Sequence, residues 1–148
     1  MTSLPYFEEV NEKGESQTLP CMYAGTVPCD RLDGNGDKPK NNMFYWMYPA
    51  ADFENAPIAI WLNGGPGASS TFANFLLNGP LRIERNGTTS SDFRVFLNPE
   101  GSWVDNATMI YVDQPMNTGF SYGPDYASDM SDATDMFMSF LNFMWVLY

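Results

Sequence analysis

Ten residues in the middle of the chain have the composition of a loop that meets a ligand. We name Trp61 to Ser70 the glycine loop; it reads Trp-Leu-Asn-Gly-Gly-Pro-Gly-Ala-Ser-Ser and follows the apolar run Pro57 to Ile60. Glycine in an ordered element costs backbone entropy and contributes no side chain to packing. The loop makes sense where backbone N–H groups must approach a ligand, and a tight turn between a strand and a helix is the alternative.

A second stretch matches a catalytic pattern. Gly119 to Gly123 fits G-x-S-x-G, in which the central serine, here Ser121, is a nucleophile on a sharp turn from a strand into a helix. Pro115 precedes this stretch and Pro124 follows it, which is incompatible with a strand leading directly in and a helix leading directly out. We therefore reject Ser121 as a nucleophile.

The chain contains no histidine, so a Ser-His-Asp triad cannot be assembled from its 148 residues. Cys21 and Cys29 are the only cysteines, too few for a zinc site, and either a local disulfide or two free thiols is open to them. We interpret Asp129, Asp132 and Asp135 as a solvated helix face rather than paired catalytic acids. We expect no metal and no cofactor.

The elements before the glycine loop are predicted to be strands. Met22 to Val27 and Met43 to Tyr48 predict an antiparallel hairpin with a long connector at Asp33 to Pro39. The continuous apolar run Ile58 to Leu62 is typical of a central strand with both faces covered. The glycine loop thus begins at the carboxyl end of a predicted buried strand.

The elements after the loop alternate between helix and strand. Ser70 to Leu77 predicts a short helix, and Thr108 to Val112 predicts an apolar strand. Between them, Leu81 to Glu84 and Phe93 to Leu97 flank a turn at Asn86-Gly87. A last helix is capped by Ser128 or Asp129, and its apolar residues recur at helical spacing at Ala133, Met136, Phe137, Phe140, Leu141 and Met144.

This order predicts an α/β fold with a mixed, mostly parallel sheet and covering helices. Ligands of such sheets bind at the carboxyl ends of the strands, where the loops after Leu62 and Val112 both lie. The last helix should lead into a further strand. We therefore expect residues 1–148 to form a single, incomplete α/β domain.

Six strings resemble the serine carboxypeptidases in their order and approximate spacing. They are Tyr23-Ala24-Gly25, Phe44-Tyr45-Trp46, the glycine loop, Asn78-Gly79-Pro80, Ser102-Trp103 and Asp113 to Tyr122. The resemblance implies the N-terminal part of an α/β-hydrolase fold and the removal of single residues from peptide C-termini. It also implies that the reactive serine lies in a later Gly-Glu-Ser-Tyr-Ala-Gly motif, which this chain lacks, just after the point where the chain ends.

The resemblance assigns roles within the glycine loop. The N–H of Gly65 would donate to the oxyanion, while Trp61, the Asn63 amide and the N–H of Gly64 would bind the C-terminal carboxylate of a peptide or protein. Two positions depart from the family pattern. Ala68 stands where the family has a disulfide-bonded cysteine, and Leu77 stands where it has a glutamic acid that shares a proton with the substrate carboxylate at acid pH; we interpret Leu77 as a core residue of the short helix.

The net charge of the chain limits the classes of molecule that it is expected to bind. The net charge is -11 and the sequence pI is about 4.1, so nucleic acid and anionic membrane surfaces are poor partners.

The first residues lack a signal-peptide pattern. Asn86-Gly87-Thr88 and Asn106-Ala107-Thr108 are weak N-glycosylation signals, and the resemblance implies the secretory pathway, with a vacuolar, lysosomal or extracellular destination.

Two hypotheses follow. The favoured one is the N-terminal segment of a serine carboxypeptidase that carries the oxyanion and carboxylate loop and is inactive on its own. The other is a non-catalytic remnant or pseudoenzyme that binds peptide C-termini, or a protein partner through an exposed sheet edge. An unpaired central strand would promote aggregation, which counts against the second hypothesis.

Overall fold

Strands and helices follow one another in the predicted order. The structure, a computed structural model, describes residues 4–30, 40–88 and 92–147, so the predicted connector at residues 33–39 lies outside the described residues. The described elements are β1 (Tyr23–Pro28), β2 (Asn42–Tyr48), β3 (Ile58–Trp61), α1 (Thr71–Leu76), β4 (Leu81–Arg85), β5 (Phe93–Leu97), a 3₁₀ turn (Trp103–Asp105), β6 (Thr108–Val112) and α2 (Met130–Leu147).

A four-stranded sheet in the order β1-β2-β6-β3 forms the centre of the fold. β1 pairs with β2 and β2 pairs with β6, both antiparallel, while β6 and β3 run parallel with Trp61 opposite Tyr111. β4 and β5 form a separate antiparallel hairpin. The predicted mixed α/β class is confirmed, but the expectation of a mostly parallel sheet is wrong for the described strands, of which only β3 and β6 pair in parallel. These two strands direct their carboxyl ends to the same edge of the sheet.

The alternation of side chains along β2 divides the core between the two faces of the sheet. Met43, Tyr45 and Met47 face α2 and pack with its buried residues Met136, Phe140 and Met144. The intervening residues of β2 pack on the opposite face, with α1 and with the β4–β5 hairpin. The helical periodicity predicted for α2 therefore matches the face that it buries.

The prediction that β3 is covered on both faces is wrong for the described residues. β3 lies at the edge of the sheet, where Ile58 is 65% exposed and Ile60 is 40% exposed. α2 packs over β1, β2 and β6, and none of the described elements covers these two isoleucines. An apolar run indicates that a strand is built for burial, but it does not show which segment buries it.

Two buried asparagine–tyrosine pairs hold α1 against the sheet. The Asn74 Nδ2 donates to the Tyr48 hydroxyl at 3.0 Å, and the Tyr111 hydroxyl donates to the Asn78 Oδ1 at 3.2 Å. Burial raises the pKa of both tyrosines above its usual range, so both hydroxyls keep their protons. α1 begins immediately after the glycine loop, so these bonds also fix one end of that loop.

Two further expectations concern the start of α2 and the two cysteines. Asp129 caps α2 by accepting the Asp132 N–H at 2.9 Å, and Asp135 is exposed as expected of a solvated face. Cys21 is exposed and Cys29 is buried, and both are free thiols; burial, with a smaller effect of Asp30, raises the pKa of Cys29 to about 12. Neither described α-helix has the length and hydropathy of a bilayer span.

Candidate functional site

The glycine loop lies at the carboxyl end of β3, beside the loop that follows β6. We name Asp113 to Tyr122 the β6 loop. Residues 64–68 of the glycine loop are exposed. Gly65 has a φ of 134° and Gly67 a φ of 98°, conformations that residues with a side chain rarely adopt. The glycines are therefore required by the backbone path that exposes this part of the loop.

The backbone N–H groups of Gly64 and Gly65 are not used in hydrogen bonds within the part of the chain that the structure describes. Among the described residues, no acceptor receives a hydrogen bond from the N–H of Gly64 or Gly65, whereas the Ala68 N–H donates to the Gly64 carbonyl at 3.3 Å. Exposed and unbonded N–H groups are available to an external acceptor. These are the two donors that the sequence analysis assigned to the carboxylate and to the oxyanion.

Trp61 fixes the orientation of the Asn63 side chain. The Trp61 indole Nε1 donates to the Asn63 Oδ1 at 3.3 Å, and the Asn63 backbone N–H donates to the Ser70 Oγ at 3.0 Å. Because the Oδ1 already accepts a bond, the Nδ2 is the end of the amide left to meet a ligand. The Asn63 Nδ2 and the N–H groups of the adjacent Gly64 and Gly65 are all hydrogen-bond donors, whereas the Trp61 Nε1 is already bonded to Asn63.

The Ser102-Trp103 string has a local structural explanation. Ser102 caps the 3₁₀ turn through its Oγ, which accepts the Val104 N–H at 3.1 Å, and Asp105 accepts the Ser102 N–H at 2.9 Å. The Trp103 N–H donates to the Asn78 carbonyl. This turn sets the Trp103 ring edge-on against Trp61, with ring centroids 5.5 Å apart.

Ser121, the centre of the G-x-S-x-G pattern, is buried and fully bonded. Its Oγ accepts the Phe44 N–H at 2.8 Å and donates to the Asp113 carbonyl at 2.5 Å. A hydroxyl whose proton and lone pair are both engaged inside the protein is not poised to attack a substrate. The geometry agrees with the rejection of Ser121 as a nucleophile.

Asp113, to which the sequence motifs assign no role of its own, joins the two loops. Its carboxylate accepts the Ser69 hydroxyl, the Ser70 N–H and the Phe120 N–H, and it is 1% exposed. The signal in the sequence is an acidic residue directly after one buried strand. The serines that it bonds end the loop after another strand, far away along the chain. That signal shows its value only once β3 and β6 are known to be parallel neighbours.

Leu77, at the position where the family pattern has an acid, is not a core residue as expected. It is 49% exposed, and Phe72 and Leu76 of α1 are exposed to a similar extent. Ala73 and Asn74 are the residues that α1 buries. α1 buries these small and polar side chains and packs the half-buried Phe75 against Trp46, so its other large apolar residues lie at the surface.

The two glycosylation signals lie in different surroundings. Asn86, Gly87 and Thr88 are all exposed, directly after β4. Asn106 is exposed, but Thr108 of the same signal is buried, and its Oγ1 accepts the Ala50 N–H at 3.0 Å. Use of either site stays a prediction.

Comparison with known proteins gives consistent matches. The sequence profile of the serine carboxypeptidase family matches residues 21–146. The pheromone-processing carboxypeptidase KEX1 of Zygosaccharomyces rouxii is 39% identical over 93% of this chain, and the vitellogenic carboxypeptidase of Aedes aegypti is 39% identical over 85% of it. The crystal structure of a prohormone-processing carboxypeptidase of Saccharomyces cerevisiae, Kex1Δp, matches 83% of this chain with a TM-score of 0.69 and 34% identity.

The matches cover most of this chain but only part of each relative. The chain spans 19% of the Zygosaccharomyces protein, 25% of the Aedes protein and 27% of the crystallised Saccharomyces chain. The matched region contains both the glycine loop and the β6 loop.

Proposed function

The chain belongs to the serine carboxypeptidase family, and on that premise we propose that it supplies the oxyanion and substrate-carboxylate loop of a serine-type carboxypeptidase. In this proposal the Gly65 N–H donates to the oxyanion, and the Gly64 N–H, the Asn63 amide and Trp61 hold the C-terminal carboxylate of a peptide or protein. The remainder of the reaction belongs to residues outside these 148.

The observation that carries the proposal is that the N–H groups of Gly64 and Gly65 have no acceptor among the described residues and lie next to an Asn63 amide that Trp61 orients. An exopeptidase must bind a free carboxylate and also stabilise the negative oxygen that forms at the neighbouring carbonyl. Fixed N–H donors serve both needs because they do not have to reorganise during the reaction. Loss of one oxyanion donor typically costs about a hundredfold or more in rate.

The proposal also predicts that the chain does not hydrolyse peptides by itself. A serine hydrolase needs a base to accept the hydroxyl proton, and the sequence contains no histidine. Ser121, the only serine in a nucleophile-like pattern, is engaged in internal hydrogen bonds. The nucleophile and the base would therefore come from chain outside the 148 residues, as the larger size of the relatives suggests.

A second candidate function is a binding module without catalysis. The exposed Ile58 and Ile60 on the edge strand β3 favour it, because an uncovered strand edge with apolar side chains can pair with another chain. In this candidate the glycine loop binds peptide C-termini, or β3 binds a protein partner, and no reaction follows.

The test is a binding measurement with matched probes. We expect an N-blocked dipeptide with a free C-terminal carboxylate to bind the purified chain, and the same dipeptide with a C-terminal amide to bind about tenfold more weakly, because the amide lacks the charge that the donors select. Equal binding of the two probes, or no binding of either, contradicts the assignment of the glycine loop.

A hydrolysis assay tests the inactivity that both candidates predict for the chain alone, and the coding DNA separates the two candidates. We expect no cleavage of blocked dipeptides by the chain alone, and turnover sensitive to a serine-directed reagent would overturn that expectation. Translation of the coding DNA beyond Tyr148 in all three frames should reveal Gly-Glu-Ser-Tyr followed by a distant aspartate and histidine. If no such segment is present, the binding module is the better proposal.

For the cellular location we propose the secretory pathway, leading to a vacuole, a lysosome or the exterior. The support is the family membership and the fully exposed Asn86-Gly87-Thr88 signal. Sensitivity of the secreted product to removal of N-linked glycans would test it, and a product unaffected by that treatment would leave the signal without a role.

A further inference from the structure

We propose that Asp113 is the positioning residue of the glycine loop: its buried carboxylate holds the end of the loop and so keeps the donors of Asn63, Gly64 and Gly65 in fixed positions. The inference rests on the proposed function, because it concerns the orientation of the same donors. Asp113 would act through Ser69 and Ser70 and would not contact the substrate.

The contacts of the Asp113 Oδ1 carry the first step. It accepts the Ser69 hydroxyl at 2.7 Å and the Ser70 N–H at 2.7 Å. Hydrogen bonds to a carboxylate are roughly twice as strong as bonds between neutral groups, and these two are short. One oxygen of Asp113 therefore fixes both residues that end the glycine loop.

Ser70 connects Asp113 to the residues that carry the donors. Its hydroxyl donates to the Val112 carbonyl at 2.6 Å and accepts the Asn63 N–H at 3.0 Å. The backbone at the start of the loop is thus tied to the backbone at its end, and both are tied to the end of β6. Gly64 and Gly65 lie between these two anchored points.

The other oxygen of Asp113 is enclosed by the β6 loop. Its Oδ2 accepts the Phe120 N–H at 3.0 Å, and a Cβ atom on Gly119 would lie 2.1 Å from it. Asp113 is 1% exposed, so no space is left for a ligand at the carboxylate. Its position is that of a support for the loop rather than a group that touches substrate.

The experiment compares Asp113→Asn with Thr108→Val. Thr108 lies at the opposite end of β6, is buried, and accepts the Ala50 N–H through its Oγ1, so its replacement costs a buried hydrogen bond far from the loop. We expect Asp113→Asn to weaken binding of the carboxylate dipeptide by roughly ten- to a hundredfold, because small misplacements of binding groups have effects of that size. Thr108→Val should leave affinity within about twofold, as expected for a site without shared partners.

Ser69 provides a milder test that does not depend on survival of the Asp113 variant. Ser69→Ala removes one of the donors to the Asp113 Oδ1 and should weaken binding several-fold, whereas Ser69→Thr keeps the hydroxyl and should restore affinity. Carboxylate affinity unchanged in both Asp113→Asn and Ser69→Ala would overturn the positioning role.

Amide chemical shifts of Gly64 and Gly65 separate this inference from the proposed function. If the wild-type chain does not distinguish carboxylate from amide, the proposed function fails. The shifts still decide the positioning role: changes at Gly64 and Gly65 in Ser69→Ala that Ser69→Thr reverses support it, and unchanged shifts contradict it.

Discussion

The glycine loop and the β6 loop share a location but differ in how they use their polar groups. Both follow parallel neighbouring strands; the glycine loop has three glycines and two serines, and the β6 loop has one of each. In the glycine loop the N–H groups of Gly64 and Gly65 have no acceptor among the described residues. In the β6 loop the Phe120 N–H and the Ser121 hydroxyl are bonded to Asp113.

The difference shows that a motif does not identify a site unless its polar groups are free. The G-x-S-x-G stretch of the β6 loop has the pattern of a nucleophile, yet its serine serves to hold β2 and β6 in place. The glycine loop lacks a catalytic side chain, but its residues 64–68 are exposed, and the N–H groups of Gly64 and Gly65 have no acceptor among the described residues. One loop supports the structure, and the other is available to a ligand.

Gly119→Ala should cause the largest loss of stability, because the packed β6 loop has no space for the added methyl group. Gly119 has a φ of 54°, and an added Cβ would lie 2.1 Å from the Asp113 Oδ2. We expect the free energy of unfolding to fall by about 3 kcal/mol or more, measured by urea denaturation.

Gly64→Ala is the matched control in the exposed loop. Nothing lies within 4 Å of a Cβ at Gly64, so we expect a change in unfolding free energy within about 0.5 kcal/mol. Similar losses in the two variants would contradict the contrast between a packed loop and an open one.

Ser121→Ala should have the next largest effect, and on stability only. The substitution leaves the buried Phe44 N–H without its acceptor and the Asp113 carbonyl without a donor. We expect a loss of about 1–3 kcal/mol in the free energy of unfolding. A fluorophosphonate probe should not label the wild-type chain; labelling that disappears in Ser121→Ala would show that the β6 loop is the reactive one.

Much of the fold could be predicted from local signals in the sequence. The alternation along β2, the helical spacing of Met136, Phe140 and Met144, and the acidic cap of α2 each reflect a short-range rule. The edge position of β3 could not be predicted in this way. Strand order depends on pairing between residues distant in sequence, and the apolar run at Ile58 carries no information about its partner.

The site was predictable in part for the same reason. Composition marks the glycine loop, and the family resemblance gives Asn63, Gly64 and Gly65 their roles, which stay predictions. Asp113 is 44 residues from Ser69 along the chain, and its role depends on the parallel register of β3 and β6. The exposure of Leu77 was missed because a leucine on a short helix usually faces the core, whereas α1 buries Ala73 and Asn74.

Trp61→Phe should weaken binding of the carboxylate moderately, because the Asn63 amide of the glycine loop is then no longer held in one orientation. The substitution keeps a ring against Trp103 but removes the bond from Nε1 to the Asn63 Oδ1. A single hydrogen bond of this kind is worth about 1 kcal/mol, so the affinity for the carboxylate dipeptide should fall about fivefold in a titration calorimetry measurement. Trp103→Phe, which leaves the Trp61–Asn63 bond intact, should change affinity less than twofold, and equal effects of the two variants would contradict the role of that bond.

The smallest expected effect is that of pH on the affinity of the glycine loop for a carboxylate. Its donors are backbone N–H groups and the Asn63 amide, which do not titrate, and the chain contains no histidine. An α-carboxylate with an ordinary pKa of about 3.5 stays ionised above about pH 5. We therefore expect the affinity for the carboxylate dipeptide to vary less than about twofold between pH 5 and pH 7.5.

Leu77 makes the pH prediction specific to this chain. Leu77→Glu introduces an acid at the exposed position where the family pattern has one, and there it would share a proton with the bound carboxylate at low pH and repel it once ionised. Affinity in that variant should fall as the pH rises through the pKa of the new acid, while Leu77→Gln, of similar size but without a charge, should keep the flat profile. A wild-type affinity that rises tenfold on acidification would show that a titrating group already faces the bound carboxylate, and that the donors of the glycine loop do not bind it alone.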